Sequence, residues 1–166
     1  MSAPYIVTIS SEKGGVGKTT LATNLAIYLK ALHEDLPVTL LSFDNHFSVD
    51  QMFRIKRQPE RGDVTGLFTG SNPDDLIETG EYGVQYIPSS KQLHIMRREL
   101  DDPTALARAL AKSSLGGIII IDTRPDLDIF TQSALYAADR VIVPVKDAPS
   151  MDNCRHIYEF FDSHGI

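Results

Sequence analysis

The chain has 166 residues, of which 42% are hydrophobic and 23% charged, and carries a formal net charge of −6. That length suits one domain over residues 1–166 whose folding buries roughly 70% of the extended chain's surface, and no apolar run approaches the roughly 20 residues of a membrane-spanning helix. The acidic balance gives no general attraction to nucleic acid, so non-specific DNA binding is unsupported by charge. The lone cysteine, Cys154, has no internal disulfide partner, and with no signal-like N-terminus the expected compartment is a reducing cytoplasm.

Tyr5-Ile6-Val7-Thr8-Ile9 is β-branched and apolar and predicts a strand. The run Glu12-Lys13-Gly14-Gly15-Val16-Gly17-Lys18-Thr19-Thr20 follows, and Leu21, Leu25, Leu29 and Leu32 then recur at helical spacing with Ala22 and Ala26 beside them. Strand, glycine-rich loop and helix in that order read as a phosphate-binding loop. Its glycines let successive backbone N–H groups turn inward on an anion, and the helix N-terminus adds partial positive charge. The binding run comprises Gly14, Gly15, Val16, Gly17, Lys18, Thr19 and Thr20; Lys18 reaches for the β/γ-phosphates and the Thr19 hydroxyl for Mg²⁺. A strict G-x-x-x-x-G-K-[ST] pattern is not met, because Glu12 stands where its first glycine would be.

Residues 38–41 predict the second strand, and Leu40-Leu41-Ser42-Phe43-Asp44 ends it on a carboxylate, Asp44. The stretch 46–70 carries the weakest signal, with Gln58-Pro59-Glu60-Arg61-Gly62-Asp63 reading as a loop and Lys56, Arg57 and Arg61 as a solvated basic cluster. Asn72-Pro73-Asp74-Asp75 offers a helix cap, a first-turn proline and acids before Gly80 closes the turn. Residues 84–87 predict a strand, Arg97-Arg98 a solvated pair near a helix, and Asp102-Pro103 the opening of the helix carrying Leu106 and Leu110.

Residues 117–121 predict a further strand, and Ile118-Ile119-Ile120-Ile121 lacks alternation, which places it at the sheet centre, buried on both faces. Asp122 ends that strand in the manner of a Walker B acid, able to hold a Mg²⁺ water ligand, while Arg124 admits two readings, one facing the nucleotide or a partner and the favoured one a solvent-facing loop residue. Residues 140–145 predict the last strand; Ser150 then reads as the cap of a helix with Met151, Cys154, Ile157 and Phe161 as its apolar stripe and Gly165 as its terminator. The alternation defines an α/β class: a three-layer, open, mostly parallel sheet with helices on both faces. The pattern calls for another strand after the final helix, so the C-terminal strands of the fold are expected to be missing.

The string Lys13-Gly14-Gly15-Val16-Gly17-Lys18-Thr19-Thr20 resembles the deviant Walker A loop of the ParA/MinD family. Ser133-Ala134-Leu135-Tyr136-Ala137-Ala138-Asp139-Arg140-Val141-Ile142-Val143-Pro144-Val145 is similar to that family's A-L-x-A-A-D-x-V-I-x-P-V block, and Gly83-Val84-Gln85-Tyr86-Ile87-Pro88-Ser89-Ser90 to its strand ending in I-P-S. The resemblance covers nearly all of the chain. It implies a P-loop ATPase using ATP and Mg²⁺, in which ATP drives homodimerisation and slow, partner-stimulated hydrolysis resets the monomer, in tasks such as plasmid or chromosome partitioning.

For single residues the resemblance implies that Lys13 contacts phosphate bound by the partner subunit, and that Asp44 positions the attacking water. Three departures stand against the pattern: Ser42 replaces the first acid of D-x-D, Asn45-His46 replaces a Pro-Gln pair, and Arg124 replaces the first proline of D-x-P-P. They keep open a second reading, a nucleotide-dependent interaction module with weak or no hydrolysis. A third, a small-molecule kinase or ligase on a related P-loop fold, has no need of Lys13. The histidines show no zinc spacing, and the chain offers neither an acyl-transfer nucleophile nor the thiolates of an iron–sulfur cluster.

Overall fold

The computed structural model describes residues 3–44, 47–53 and 61–165. The expectations for Asn45-His46, Lys56, Arg57 and Gln58-Pro59-Glu60 therefore lie outside the described residues. Strands β1 (Tyr5–Ile9), β2 (Val38–Ser42), β3 (Glu78–Thr79), β4 (Gln85–Ile87), β5 (Ile118–Asp122) and β6 (Arg140–Ile142) form one sheet in the order β3-β4-β2-β5-β1-β6. All pairings are parallel except β3 with β4.

The isoleucine run behaves as its composition requires. β5 lies between β2 and β1, with Ile119 and Ile121 in one apolar layer and Ile120 in the other. On the Ile120 face pack α1 (Lys18–Leu32) and α2 (Ser48–Met52), through Ala22, Ala26 and Val49 against Leu40 and Tyr86. On the opposite face lie α3 (Gly66–Thr69), α4 (Leu93–Met96), α5 (Ala105–Ala111) and α6 (Ile129–Ala137), contributing Leu67, Leu93, Leu106, Leu110 and Phe130. The fold is thus the expected three-layer arrangement. Two short helices follow β6: α7 (Ala148–Asp152), and α8 (Cys154–His164), whose Ile157 and Phe160 pack on Leu135 of α6.

Four local expectations are corrected. In α1 the alanines, not the leucines, face the sheet: Ala22 and Ala26 are fully buried, whereas Leu32 is 72% exposed. Small side chains let the helix axis approach the strands closely, and the leucines fill its flanks. The helix expected after Asn72 is a single 3₁₀ turn, Pro73–Leu76, after which the chain extends to cover the outer edge of β4 as β3. Ser150 is not a cap. Asp147 caps α7 and Ser150 completes a reciprocal capping box with it, its N–H donating to Asp147 Oδ1 at 3.0 Å and its hydroxyl accepting from Asp147 N at 2.9 Å. The apolar stripe of the final segment consequently turns, leaving Met151 64% exposed and burying Phe160. The helices α2 and α3, in the stretch of weak signal, were not foreseen.

Two anchors set the strand ends. Asp139 holds the β1 edge by accepting from Ile6 N at 2.8 Å through its carboxylate and donating its own N–H to Ile6 O at 2.9 Å. Gly117 enters β5 with φ 70°, and a Cβ there would stand 2.1 Å from Pro37 O, the acceptor of Ile118 N. Gly117→Ala is expected to cost about 2–4 kcal/mol of stability, combining a left-handed backbone with a backbone clash that parts β2 from β5. Urea unfolding measures this; a loss below about 0.5 kcal/mol, the range of neutral surface changes, would show that the close approach is not real.

Candidate functional site: a phosphate-sized cleft at the sheet's C-terminal edge

Both flanks of the cleft follow from strands that end together. β1 delivers the loop into α1, while the parallel neighbours β2 and β5 end in register at Ser42 and Asp122. Gly15 and Gly17 take φ of 72° and 93°, left-handed conformations that let the backbone reverse around the loop. Gly17 caps α1 with no side-chain hydrogen bond, and no acid occupies the first turn. The helix therefore presents N–H groups and positive dipole uncompensated by its own side chains.

A cleft of about 400 Å³ opens over this loop, lined by Gly14, Gly15, Gly17, Lys18, Thr19, Thr20, Asp44, Thr123, Arg124, Pro125 and Asp126. Most residues expected at the site are gathered there. Lys18 is buried, and its ammonium donates to Ser11 O at 2.9 Å and Lys13 O at 3.1 Å, bracing the loop from within. Burial pulls its pKa down, opposed by the charges of Asp122, Asp44 and Asp126. Val16 belongs to the loop without lining the cleft.

Asp122 lies behind the lining residue Thr19, fully buried. Its Oδ2 accepts from Thr19 Oγ1 at 2.8 Å and Ser42 Oγ at 3.2 Å, while Oδ1 is buried with no hydrogen-bond partner among the described residues. Burial pushes its pKa up to about 6, and Asp44 adds to the rise; the two hydroxyl donors and Lys18 oppose it. Ser42 also accepts from Asp44 N at 3.2 Å, and Asp44 O accepts from Ser89 Oγ at 2.7 Å, which fixes the backbone beyond β2. A serine where the resemblance leads one to expect an acid thus spares Asp122 a second carboxylate and supplies a donor instead.

Lys13 sits apart from the cleft wall. Its ammonium pairs with Asp147 at 2.5 and 2.7 Å, and Asp147 is held at a pKa of about 2 by that bond and by Ser150. Beside it, Glu12 pairs with His156 of α8, which raises the histidine's pKa. Both contacts tie the start of the loop to α7 and α8, and neither was foreseen.

Arg124 was expected to face solvent and does not. It lines the cleft with its side chain 18% exposed, facing Asp126 and Asp128. Arg97, placed at the end of α4, meets the same two acids from outside. It is half exposed and ion-paired, in keeping with a solvated surface.

The sheet order, the glycine loop and the acid-tipped central strand define a P-loop nucleotide-binding fold. The AAA domain family AAA_31 matches residues 5–163, and the chain belongs to this family, within the ParA/MinD group of deviant Walker A proteins. The chromosome-partitioning ATPase Soj of Thermus thermophilus is 34% identical over 141 residues, 84% of this chain and 54% of that relative. The chromosome partitioning protein ParA of Caulobacter vibrioides is 31% identical over 151 residues, covering 85% of this chain and 55% of its own length. Among solved structures, a plasmid partition protein of Borrelia burgdorferi B31 bound to AMPPNP matches with a TM-score of 0.87 at 26% identity, over 99% of this chain and 73% of that one. The chain spans about half the length of the curated relatives it matches. No helix among the described residues is long and apolar enough to cross a membrane.

Proposed function

We propose that the chain is the nucleotide-binding part of a Mg²⁺-dependent ATPase that switches between monomer and dimer, serving plasmid or chromosome partitioning or a related positioning task. The observation that carries this reading is the convergence of Lys18, Thr19 and Asp44 on one cleft, with Asp122 bonded to Thr19 behind it. Its support beyond geometry is the kinship with partitioning ATPases and with a plasmid partition protein that binds AMPPNP. ATP as the nucleotide, a homodimer, a stimulating partner protein and a cytoplasmic setting belong to the same proposal.

The donor set fits a hydrated Mg²⁺. Asp122 Oδ1 is a buried oxygen lacking a hydrogen-bond partner, and the Thr19 hydroxyl lies 2.8 Å from the other oxygen. Thr19 and Asp122 would hold the ion, which when bound neutralises charge between the last two phosphates. Lys18 and the N–H groups from Gly14 to Thr20 bind the phosphate oxygens. Asp44, in the cleft lining, orients the attacking water and accepts its proton at the carboxylate. Lys13 serves a partner's phosphate; to do so it leaves Asp147, an exposed ion pair that is easily exchanged for a phosphate contact.

Sedimentation with ATP–Mg²⁺ or ADP–Mg²⁺, alongside phosphate release by wild type and Asp44→Ala, tests the proposal. Expected are an ATP-dependent dimer, slow release by wild type, and a persistent dimer with background release for Asp44→Ala. Equal background release by both proteins would leave the second reading, a binding module without hydrolysis, which the Ser42 contact with Asp122 favours. A chain that is monomeric in both nucleotides would refute the switch.

A further inference from the structure

The cleft carries a cation for which the family pattern has no counterpart. Among its lining residues, Lys18 and Arg124 are the cations, set against Asp44 and Asp126 with Asp122 behind Thr19. Lys13 is drawn off to Asp147. A polyphosphate entering this cleft therefore meets more fixed negative charge than Lys18 alone offsets.

Arg124 is held in reserve. Its Nε lies 3.8 Å from Asp126 Oδ1 and its Nη1 lies 3.9 Å from Asp128 Oδ2, distances of attraction without hydrogen bonding. That Nη1 is buried with no hydrogen-bond partner among the described residues, as are Asp126 Oδ1 and Asp128 Oδ2. An unsatisfied guanidinium on a cleft wall has donors to spend.

The two aspartates have a second cation besides Arg124. Arg97 Nη1 lies 3.2 Å from Asp126 Oδ2, and Arg97 Nε lies 3.8 Å from Asp128 Oδ2. Asp128 Oδ1 also caps α6, accepting from Phe130 N and Thr131 N at 3.1 Å each. When Arg124 turns away, Asp126 keeps its contact with Arg97 and Asp128 keeps its helix-cap hydrogen bonds. The position of Arg124 decides which phosphate it meets: Asp44 and Arg124 each follow by two residues the registered pair Ser42 and Asp122, and both line the cleft, at the end where the cation and the attacked phosphorus belong, whereas the glycines cradle the inner phosphates.

We propose that Arg124 is a phosphate-binding residue acting within its own chain, its guanidinium moving from Asp126 and Asp128 to the terminal phosphate of the bound nucleoside triphosphate. The site then discriminates triphosphate from diphosphate by a contact that only the triphosphate supplies, and Arg97 stays beside the two acids in both states. This rests on the nucleotide-binding reading above.

Equilibrium titration with ATP–Mg²⁺ and with ADP–Mg²⁺ separates the two claims, using the full chain as wild type, Arg124→Gln, Arg124→Pro and Lys18→Ala. Arg124→Gln is expected to weaken ATP about ten- to a hundredfold, the loss of charge-assisted hydrogen bonds, and ADP by less than about threefold. Arg124→Pro, which restores the residue of the family's D-x-P-P pattern, should show the same selective loss even if the glutamine variant folds poorly. Arg97→Gln should leave the ATP/ADP ratio as in wild type. If wild type binds ATP in a Lys18-dependent manner but both Arg124 variants keep its ATP/ADP ratio, the Arg124 assignment is overturned and nucleotide binding stands. A wild type that binds neither nucleotide overturns both.

Discussion

Lys18→Ala is expected to lower ATP affinity by at least about a hundredfold, to the point where binding escapes ordinary titration. The ammonium has two tasks. In the present conformation it donates to Ser11 O and Lys13 O, joining both ends of the loop's first half. With phosphate present, it is the buried cation closest to the loop's own N–H groups. Alanine removes a charge whose hydrogen bonds to an anion contribute about 1.5–3 kcal/mol each, and it unties the loop that shapes the cradle. Each 1.4 kcal/mol is tenfold in affinity, so two such bonds account for the predicted loss. Lys18→Arg should not rescue binding, because the planar guanidinium is larger than the space between two carbonyls that an ammonium fills. Calorimetric titration with ATP–Mg²⁺ gives the answer, and wild-type affinity in the alanine variant would remove Lys18 from the phosphate site. Chemical unfolding should show the variant still folded, since Lys18 is a desolvated charge whose removal relieves as well as costs.

What could be read from the sequence were the parts whose logic is local. The loop, its glycines and the following helix are contiguous, so Lys18 and Thr19 were placed by spacing alone. Asp44 and Asp122 were legible because an acid at the end of an apolar strand must lie at the sheet's edge, and parallel registration of Ser42 with Asp122 brings them together. The contacts that were missed join residues far apart in the chain. Lys13 and Asp147 are separated by 134 positions and Glu12 and His156 by 144, and no periodicity announces such a meeting. Arg124 was misread for a related reason: a loop arginine looks solvated until the acids at 126 and 128 and the cleft wall close over it. The α1 face was misread because hydrophobicity outranked size, although close packing on a parallel sheet favours Ala22 and Ala26 over leucine. Asp147 and Ser150 show a smaller failure. Both are good caps, and the choice falls to the residue whose carboxylate also has a cation, Lys13, to meet.

Asp122→Asn is expected to change how stability responds to pH, and this separates a residue kept for ligand binding from one kept for the fold. The carboxyl is fully buried and its pKa stands at about 6, above the model-peptide value of 3.8. Because the folded state then binds the proton more tightly than the unfolded chain, the group favours folding below pH 4, and that advantage is lost as pH rises through the window from about 4 to 6. Above pH 6 the ionised form carries a penalty on the order of 3 kcal/mol relative to the acid limit. Asparagine keeps an oxygen for the Thr19 and Ser42 hydroxyls and removes the titration, at the cost of burying an amide N–H₂ where Oδ1 now lacks a partner. Urea unfolding at pH 4.5 and 7.5 should therefore show wild type losing stability relative to Asp122→Asn between the two, by roughly 2 kcal/mol. Identical pH profiles would mean that the carboxylate is solvated. The penalty is what a bound cation would repay, so ATP–Mg²⁺ should raise the melting temperature of wild type more than that of the asparagine variant. An equal rise in both would assign the metal to other ligands while leaving the burial of Asp122 intact.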